Sequence, residues 1–235
     1  MVDPLAYARR SPLRRRLEAE GAAWGDLGDV AIAETIGDAA PTGGIAIVDL
    51  SPLPRLGFKG RGTIPAMQSR GITVEATPNR AFRQPDGGLC LVLAPGEVIL
   101  LSNLAGAGER LAQLESAWRI EDEERTYPLP RRDSHAWLAV AGQAAPEMFA
   151  KLCAIDLRHE KFADLAIAQT SIAKMSAILT RADIGPNPVF HLLVDSAAAL
   201  YFCDCLLDAS DEFGGRIVGL KELQKSKADE EDHHA

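Results

Sequence analysis

The sequence predicts an α+β fold made of two similar mixed α/β modules. Three observations lead there. Short, nearly unbroken apolar runs of strand length alternate with segments of helical periodicity, and hairpin signals lie between them. One plan occurs twice: Leu56-Gly57-Phe58-Lys59-Gly60 is followed by Pro65 and Met67, and Leu138-Ala139-Val140-Ala141-Gly142 by Pro146 and Met148. Each copy reads as a strand ending in glycine, a helix with an early proline, a hairpin and a longer helix. Between the copies lies a polar, proline-bearing joint. The chain therefore divides into a frayed start (1–10), a first module (11–120), the joint (121–134), a second module (135–220) and a disordered acidic tail (221–235).

The elements follow in order. Ser11 caps a short helix with Pro12 at its first position, Leu13 and Leu17 on one face, and Gly21 as the stop. Arg14, Arg15 and Arg16 fall on its solvent side. Residues 30–35 read as a strand, and residues 41–44 turn the chain into its central stretch, 44–62. Ile45, Ile47, Val48 and Leu50 are too continuously apolar for a half-exposed strand and indicate one covered on both faces. Pro52 and Pro54 cannot donate to a ladder and force a break. A second strand, 56–59, ends in Gly60 and Gly62, which turn into a helix over 63–69. A strand over 72–76 and a loop or edge strand over 78–82 come next. Asp86-Gly87-Gly88 leads into a hairpin, 89–94 and 98–102, around Pro95-Gly96. A helix over 106–118 closes the first module.

The second module holds a strand (136–141), a helix (146–153), strands over 167–174, 176–182 and 189–194, and a helix from Asp195-Ser196 to about Phe213. Gly214-Gly215 ends that helix.

The 235 residues, 47% hydrophobic, suffice for one large domain or two small ones, and the formal net charge is −8. That charge argues against nonspecific binding to nucleic acid or to an anionic membrane. No apolar run reaches the roughly 18–20 residues of a membrane-spanning helix. Five arginines occur within residues 1–16 without an apolar region behind them, so no secretory signal is expected. Cys90, Cys153, Cys203 and Cys205 form no C-x-x-C pair and read as free thiols of a reducing cytoplasm.

Catalytic signatures are sparse. His135, His159 and His191 are isolated, and Asp133-Ser134-His135 is too local for a triad, whose members converge from separate positions. Gly57, Gly60 and Gly62 lack both dinucleotide and phosphate-loop spacing. The acids at 121–124 read as a solvated run, and the two terminal histidines as part of a solvated tail. No catalytic residue and no metal ligand is assigned.

Over residues 47–60 (IVDLSPLPRLGFKG) the sequence resembles the gamma subunit of heterotetrameric sarcosine oxidase. The likeness continues through Pro78-Asn79-Arg80, Pro95-Gly96-Glu97 and residues 152–157, 167–173 and 190–196, and spans roughly residues 11–220. That family looks like a shortened relative of the folate-binding aminomethyltransferase, the T-protein of glycine cleavage, with Asp49-Leu50-Ser51 at its Asp-x-Ser motif. The resemblance implies a folate-binding, aminomethyltransferase-like fold and a cytoplasmic subunit of a complex that oxidises sarcosine, dimethylglycine, N-methylglutamate or a related N-methyl amino acid. In such complexes larger flavoprotein subunits carry FAD, FMN and NAD, a small fourth subunit carries zinc, and the methyl carbon leaves as formaldehyde or on tetrahydrofolate. The gamma-type chain is expected to bind no cofactor and to pack on the folate-domain half of the largest subunit. Arg14, Arg15, Arg16, Arg55, Lys59 and Arg61 are candidates to meet an acidic partner face.

Two departures bear on chemistry. The T-protein carries paired acids after a Gly-Gly turn, whereas Gly87-Gly88 is followed here by Leu89, Cys90, Leu91 and Val92. Its Gly-Tyr-containing loop is reduced to residues 181–188, with Arg181 kept. The alternative reading is a stand-alone folate-dependent aminomethyl transferase, with Asn79, Arg80 and Arg181 as the candidate folate contacts.

Overall fold

The structure, a computed structural model, describes residues 1–37, 44–119 and 124–231, with side chains as far as residue 225. The expected turn at 41–43, the acidic run at 121–123 and the terminal histidines lie outside the described residues. In chain order the first elements are α1 (Arg14–Ala19), β1 (Ala22–Asp26), β2 (Ala31–Ile36), β3 (Ala46–Asp49), β4 (Arg55–Lys59) and α2 (Thr63–Ser69). Then come β5 (Arg80–Arg83), β6 (Leu89–Ala94), β7 (Glu97–Leu101), α3 (Glu109–Ala117) and β8 (Tyr127–Leu129). The remainder is β9 (His135–Ala141), α4 (Ala145–Phe149), β10 (Ile167–Ile172), β11 (Met175–Arg181), β12 (Val189–Asp195), α5 (Ala199–Ser210), β13 (Arg216–Val218) and α6 (Leu220–Glu231). None of the described helices is long and apolar enough to cross a membrane.

Two compact units result, and their boundaries depart from the expected modules. The larger unit takes Met1–Pro52, His135–Asp164 and Thr170–Ala235; the smaller takes Leu53–Ser134 and Leu165–Gln169. The reason is the partner chosen by β3. Instead of pairing with β4 next in sequence, it lies between β9 and β13, with Ile47 opposite both Val140 and Ile217. Pro52 and Pro54 interrupt the chain between β3 and β4, and the buried Ile45, Ile47, Val48 and Leu50 suit an interior strand covered on both faces, with Asp49 as the one polar residue of the run. Residues 11–52 are thus built into the second expected module.

The duplicated plan is present in both units, around one five-stranded and one six-stranded sheet. The smaller unit's sheet runs β5-β6-β7-β4-β8, and the larger unit's runs β10-β11-β12-β9-β3-β13. In each, a central strand ends in a glycine of positive φ, Gly60 at +153° and Gly142 at +139°. Each glycine accepts a hydrogen bond at its carbonyl from a residue three further on, Thr63 N–H at 3.3 Å and Ala145 N–H at 3.1 Å, as the chain enters α2 and α4. Each of these central strands is flanked by the last strand of the following hairpin, β7 or β12.

Four expectations need correction. Residues 124–134 of the expected joint are part of the fold: β8 extends the smaller sheet through Gly57↔Leu129, and Trp118 Nε1 donates to Thr126 O at 2.8 Å. Pro128 is tolerated because β8 is an edge strand. Residues 72–76 form no strand. Their place at the edge is taken by the Gln84 amide, which accepts from Thr73 N at 3.0 Å and donates to Thr73 O at 2.8 Å. The helix expected over 146–153 stops at Phe149. The tail expected to be disordered from 221 contains α6 up to Glu231, anchored by buried Leu220 and Leu223.

Leu56, Phe58, Met67, Cys90, Val98, Leu100 and Leu114 form the core of the smaller unit. In the larger unit Phe149 and Phe190 stack edge to face at 5.3 Å. Burial pushes the Cys90 and Cys203 thiols up to about 12, and nearby Asp49 adds to the effect at Cys203. These two thiols therefore stay protonated and shielded at pH 8. A disulfide reagent should titrate Cys153 and Cys205 in the folded protein and all four only after denaturation. Reaction of Cys90 at the rate of an exposed thiol would contradict this packing.

Candidate functional site

Arg181 ends β11 with its side chain 7% exposed, and its donors converge on its own surroundings. Nε donates to Asp183 Oδ1 at 2.8 Å, Nη2 to Asp183 Oδ2 at 2.5 Å, and Nη1 to Phe162 O at 2.7 Å. Nη2 also lies 2.5 Å from His159 Nδ1. Asp183 is positioned in turn by its N–H, which donates to Asp164 Oδ1 at 2.9 Å. Hydrogen bonding to Asp183 pushes the Arg181 pKa further up. This is a clamp that ties the 158–164 loop to the end of β11, and every guanidinium nitrogen is already engaged within the larger unit.

Asn79 and Arg80 adjoin in the smaller unit. Asn79 adopts a left-handed φ of 59°, donates its N–H to Val92 O at 2.8 Å, and accepts from Ile167 N at 3.0 Å. Its Oδ1 accepts from Gln169 Nε2 at 2.9 Å, and the same amide donates to Leu93 O at 2.8 Å. Asn79 thus serves as a turn residue binding 165–169 to the sheet. Arg80 is exposed on β5, opposite Val92. After Gly87-Gly88, residues 89–92 run directly into buried β6, each at most 7% exposed. Where paired acids would be needed, this chain places core side chains.

One buried polar network went unrecognised in the sequence. Asp49 is 3% exposed and accepts from Ser11 Oγ through one oxygen and from Ser51 N at 2.9 Å through the other. Ser51 Oγ accepts from Trp137 N at 3.1 Å, and Trp137 Nε1 donates to His191 Nδ1 at 3.1 Å. Because Nδ1 accepts, the His191 ring is neutral with its proton on Nε2. Ser11 Oγ also accepts from Leu13 N at 3.0 Å; because α1 starts only at Arg14, with Leu13 at its N-cap position and no side-chain cap, Ser11 does not cap the helix as expected but ties the turn before it to the Asp-x-Ser motif. The Asp-x-Ser spacing was a signal, but Ser11 lies 38 residues away in sequence.

Of the cations considered for a partner face, Arg55 is buried and donates to Arg131 O at 2.8 Å, and Lys59 pairs with Glu97 at 2.8 Å. Arg14 pairs with Glu18 at 2.5 Å, and Arg16 with Glu20 at 3.0 Å and Asp204 at 2.9 Å. Arg14, Arg15 and Arg16 line a groove of about 530 Å³ together with Pro12, Ala19 and Leu200. Among the described residues, no group of three or more His, Cys, Asp or Glu side chains is placed to hold a metal ion.

No protein-family model matches the chain, and no curated protein matches it in sequence. Solved structures do. One is a chain of heterotetrameric sarcosine oxidase from Corynebacterium sp. U-96, solved in complex with pyrrole 2-carboxylate. It matches at TM-score 0.67 and 21% identity, over 87% of this chain and 96% of that one. Another is glycine cleavage system aminomethyltransferase T from Bartonella henselae, at TM-score 0.71 and 16% identity, over 93% of this chain. This chain spans only 62% of that protein's length. At these identities the likeness is one of fold, and it establishes that the chain has the mixed α/β, folate-binding aminomethyltransferase-like fold shared by these two proteins.

Proposed function

We propose that this chain is a non-catalytic, gamma-type subunit of a heterotetrameric, flavin-dependent oxidoreductase acting on sarcosine or a related N-methyl amino acid, packed on the folate-domain half of the largest subunit. The observation that carries the reading is the near end-to-end match to a chain of a heterotetrameric enzyme, two chains of almost equal length, whereas the aminomethyltransferase is much longer. The engaged guanidinium of Arg181 and the buried apolar residues after Gly87-Gly88 support it, because neither leaves groups for one-carbon chemistry. In this reading FAD, FMN, NAD, zinc and tetrahydrofolate belong to cytoplasmic partner subunits. The residues present do not fit a folate handled as in the T-protein.

The second reading is a stand-alone folate-dependent aminomethyl transferase. It is favoured by the TM-score of 0.71 to the aminomethyltransferase. One experiment separates the two. The tagged chain, recovered from its own cells, should emerge as a yellow assembly with three further polypeptides, well above the 25.2 kDa of the chain. A colourless monomer of that mass would sink the subunit reading, and tetrahydrofolate titration of the monomer would then decide the alternative.

A further inference from the structure

The groove beside α1 and the start of α5 has the composition of a docking surface. Its lining includes the side chains of Arg14, Arg15 and Arg16 and no carboxylate, in a protein whose net charge is −8. Glu18, Glu20 and Asp204 hold Arg14 and Arg16 without lining the groove. Those ion pairs restrain two of the three guanidinium groups, which lowers the entropy lost when a partner is bound. Arg15 is exposed and has no ion-pair partner among the described residues.

Next to these cations stands one large apolar side chain, Leu200, which is 53% exposed and lines the groove. An exposed leucine beside arginine matches the anatomy of a protein interface, in which an apolar centre is covered by the partner, arginine is enriched and the rim is polar. A net-negative chain is a poor match for nucleic acid or an anionic membrane.

We propose that this groove seats a segment of a larger partner polypeptide that carries at least one carboxylate beside an apolar side chain. The carboxylate meets the unpaired Arg15 fork, and the apolar side chain covers Leu200. This rests on the subunit reading and names the surface through which it is realised.

The test uses the full chain, tagged and expressed in its own cells, as wild type, Arg15→Glu, Leu200→Asp and, as a control elsewhere on the surface, Arg119→Glu. The readout is the flavin absorbance and the polypeptides recovered per mole of tagged chain. Arg15→Glu and Leu200→Asp should each lower the recovered flavin about tenfold or more, with melting temperatures unchanged because both side chains are exposed. Arg119→Glu, at an exposed arginine that donates to nearby backbone carbonyls, should recover the wild-type amount. If wild type assembles and Arg15→Glu assembles equally well, the groove assignment is overturned while the subunit reading stands. If the only species lost is a second copy of this chain, the assignment is also overturned. A wild-type chain that is monomeric and colourless overturns both. Because Leu200→Asp adds a charge beside the core, the outcome for Arg15→Glu is the deciding one.

Discussion

Arg181→Ala is expected to lower the stability of the folded chain by about 3 kcal/mol, to be read from urea unfolding with an unchanged slope. The substitution deletes a nearly buried guanidinium and removes its donors from the Asp183 carboxylate and from Phe162 O. Removing one member of such a buried pair costs about 3–5 kcal/mol, because the remaining charge loses its compensation. For a chain of this length that corresponds to a fall in melting temperature of roughly 6–12 °C. Arg181→Lys keeps the charge but not the planar fork and should recover only part of the loss. A melting temperature within a degree of wild type for Arg181→Ala would show that the clamp contributes nothing to stability. The effect also reaches the functional question. Loss of folate binding in Arg181→Ala would report a damaged loop rather than a missing ligand contact, so exposed Arg80→Ala is the cleaner probe of the transferase reading.

Gly60→Ala is expected to be at least as damaging, at about 3 kcal/mol or more. Its φ of +153° lies in a region reserved almost entirely for glycine, and a Cβ there would sit 2.0 Å from Arg125 O and 2.9 Å from Thr126 Cα. Those are backbone atoms leading into β8, so relief would require breaking the β4–β8 pairing. Gly142, its counterpart in the duplicated plan, has φ +139°, but its Cβ would meet Gly44 O at 3.1 Å, which a small shift can relieve. Gly142→Ala should therefore cost about 1–2 kcal/mol. Gly28→Ala, at φ +88° with nothing within 4 Å, isolates the backbone strain alone at about 1 kcal/mol. Thermal melts of the three variants should rank Gly60 above Gly142 above Gly28. Equal losses would mean that strain, and not the approach of β8, controls the site.

Local chemistry was legible wherever the deciding forces act between near neighbours. The hairpin around Pro95-Gly96, the glycine turn at Gly60 and the edge position of 80–83 all follow from the conformational limits of a few adjacent residues. The repeated strand-glycine-helix plan was likewise visible, because the same backbone need selects the same residues at Gly60 and Gly142. The absence of acids after Gly87-Gly88 could also be read directly, since it is a matter of residue identity.

Other features depend on partners remote in sequence. An apolar run such as 45–50 announces a covered strand, yet its composition does not name its neighbours; pairing with β9 and β13 sent the N-terminal residues into the other unit. The polar joint became a strand because β4 had a vacant edge that backbone hydrogen bonds could fill regardless of side-chain polarity. Arg181 looked available for a ligand carboxylate, and only the approach of Phe162 O and His159 from the 158–164 loop revealed its donors as engaged. Sequence alone determined the class of fold, its duplicated plan and the absence of acids just after Gly87-Gly88, since residue type and spacing are read directly. Tertiary structure decided which strands share a sheet and which polar groups remain open to a partner, since hydrogen-bond capacity is allotted only when distant segments meet.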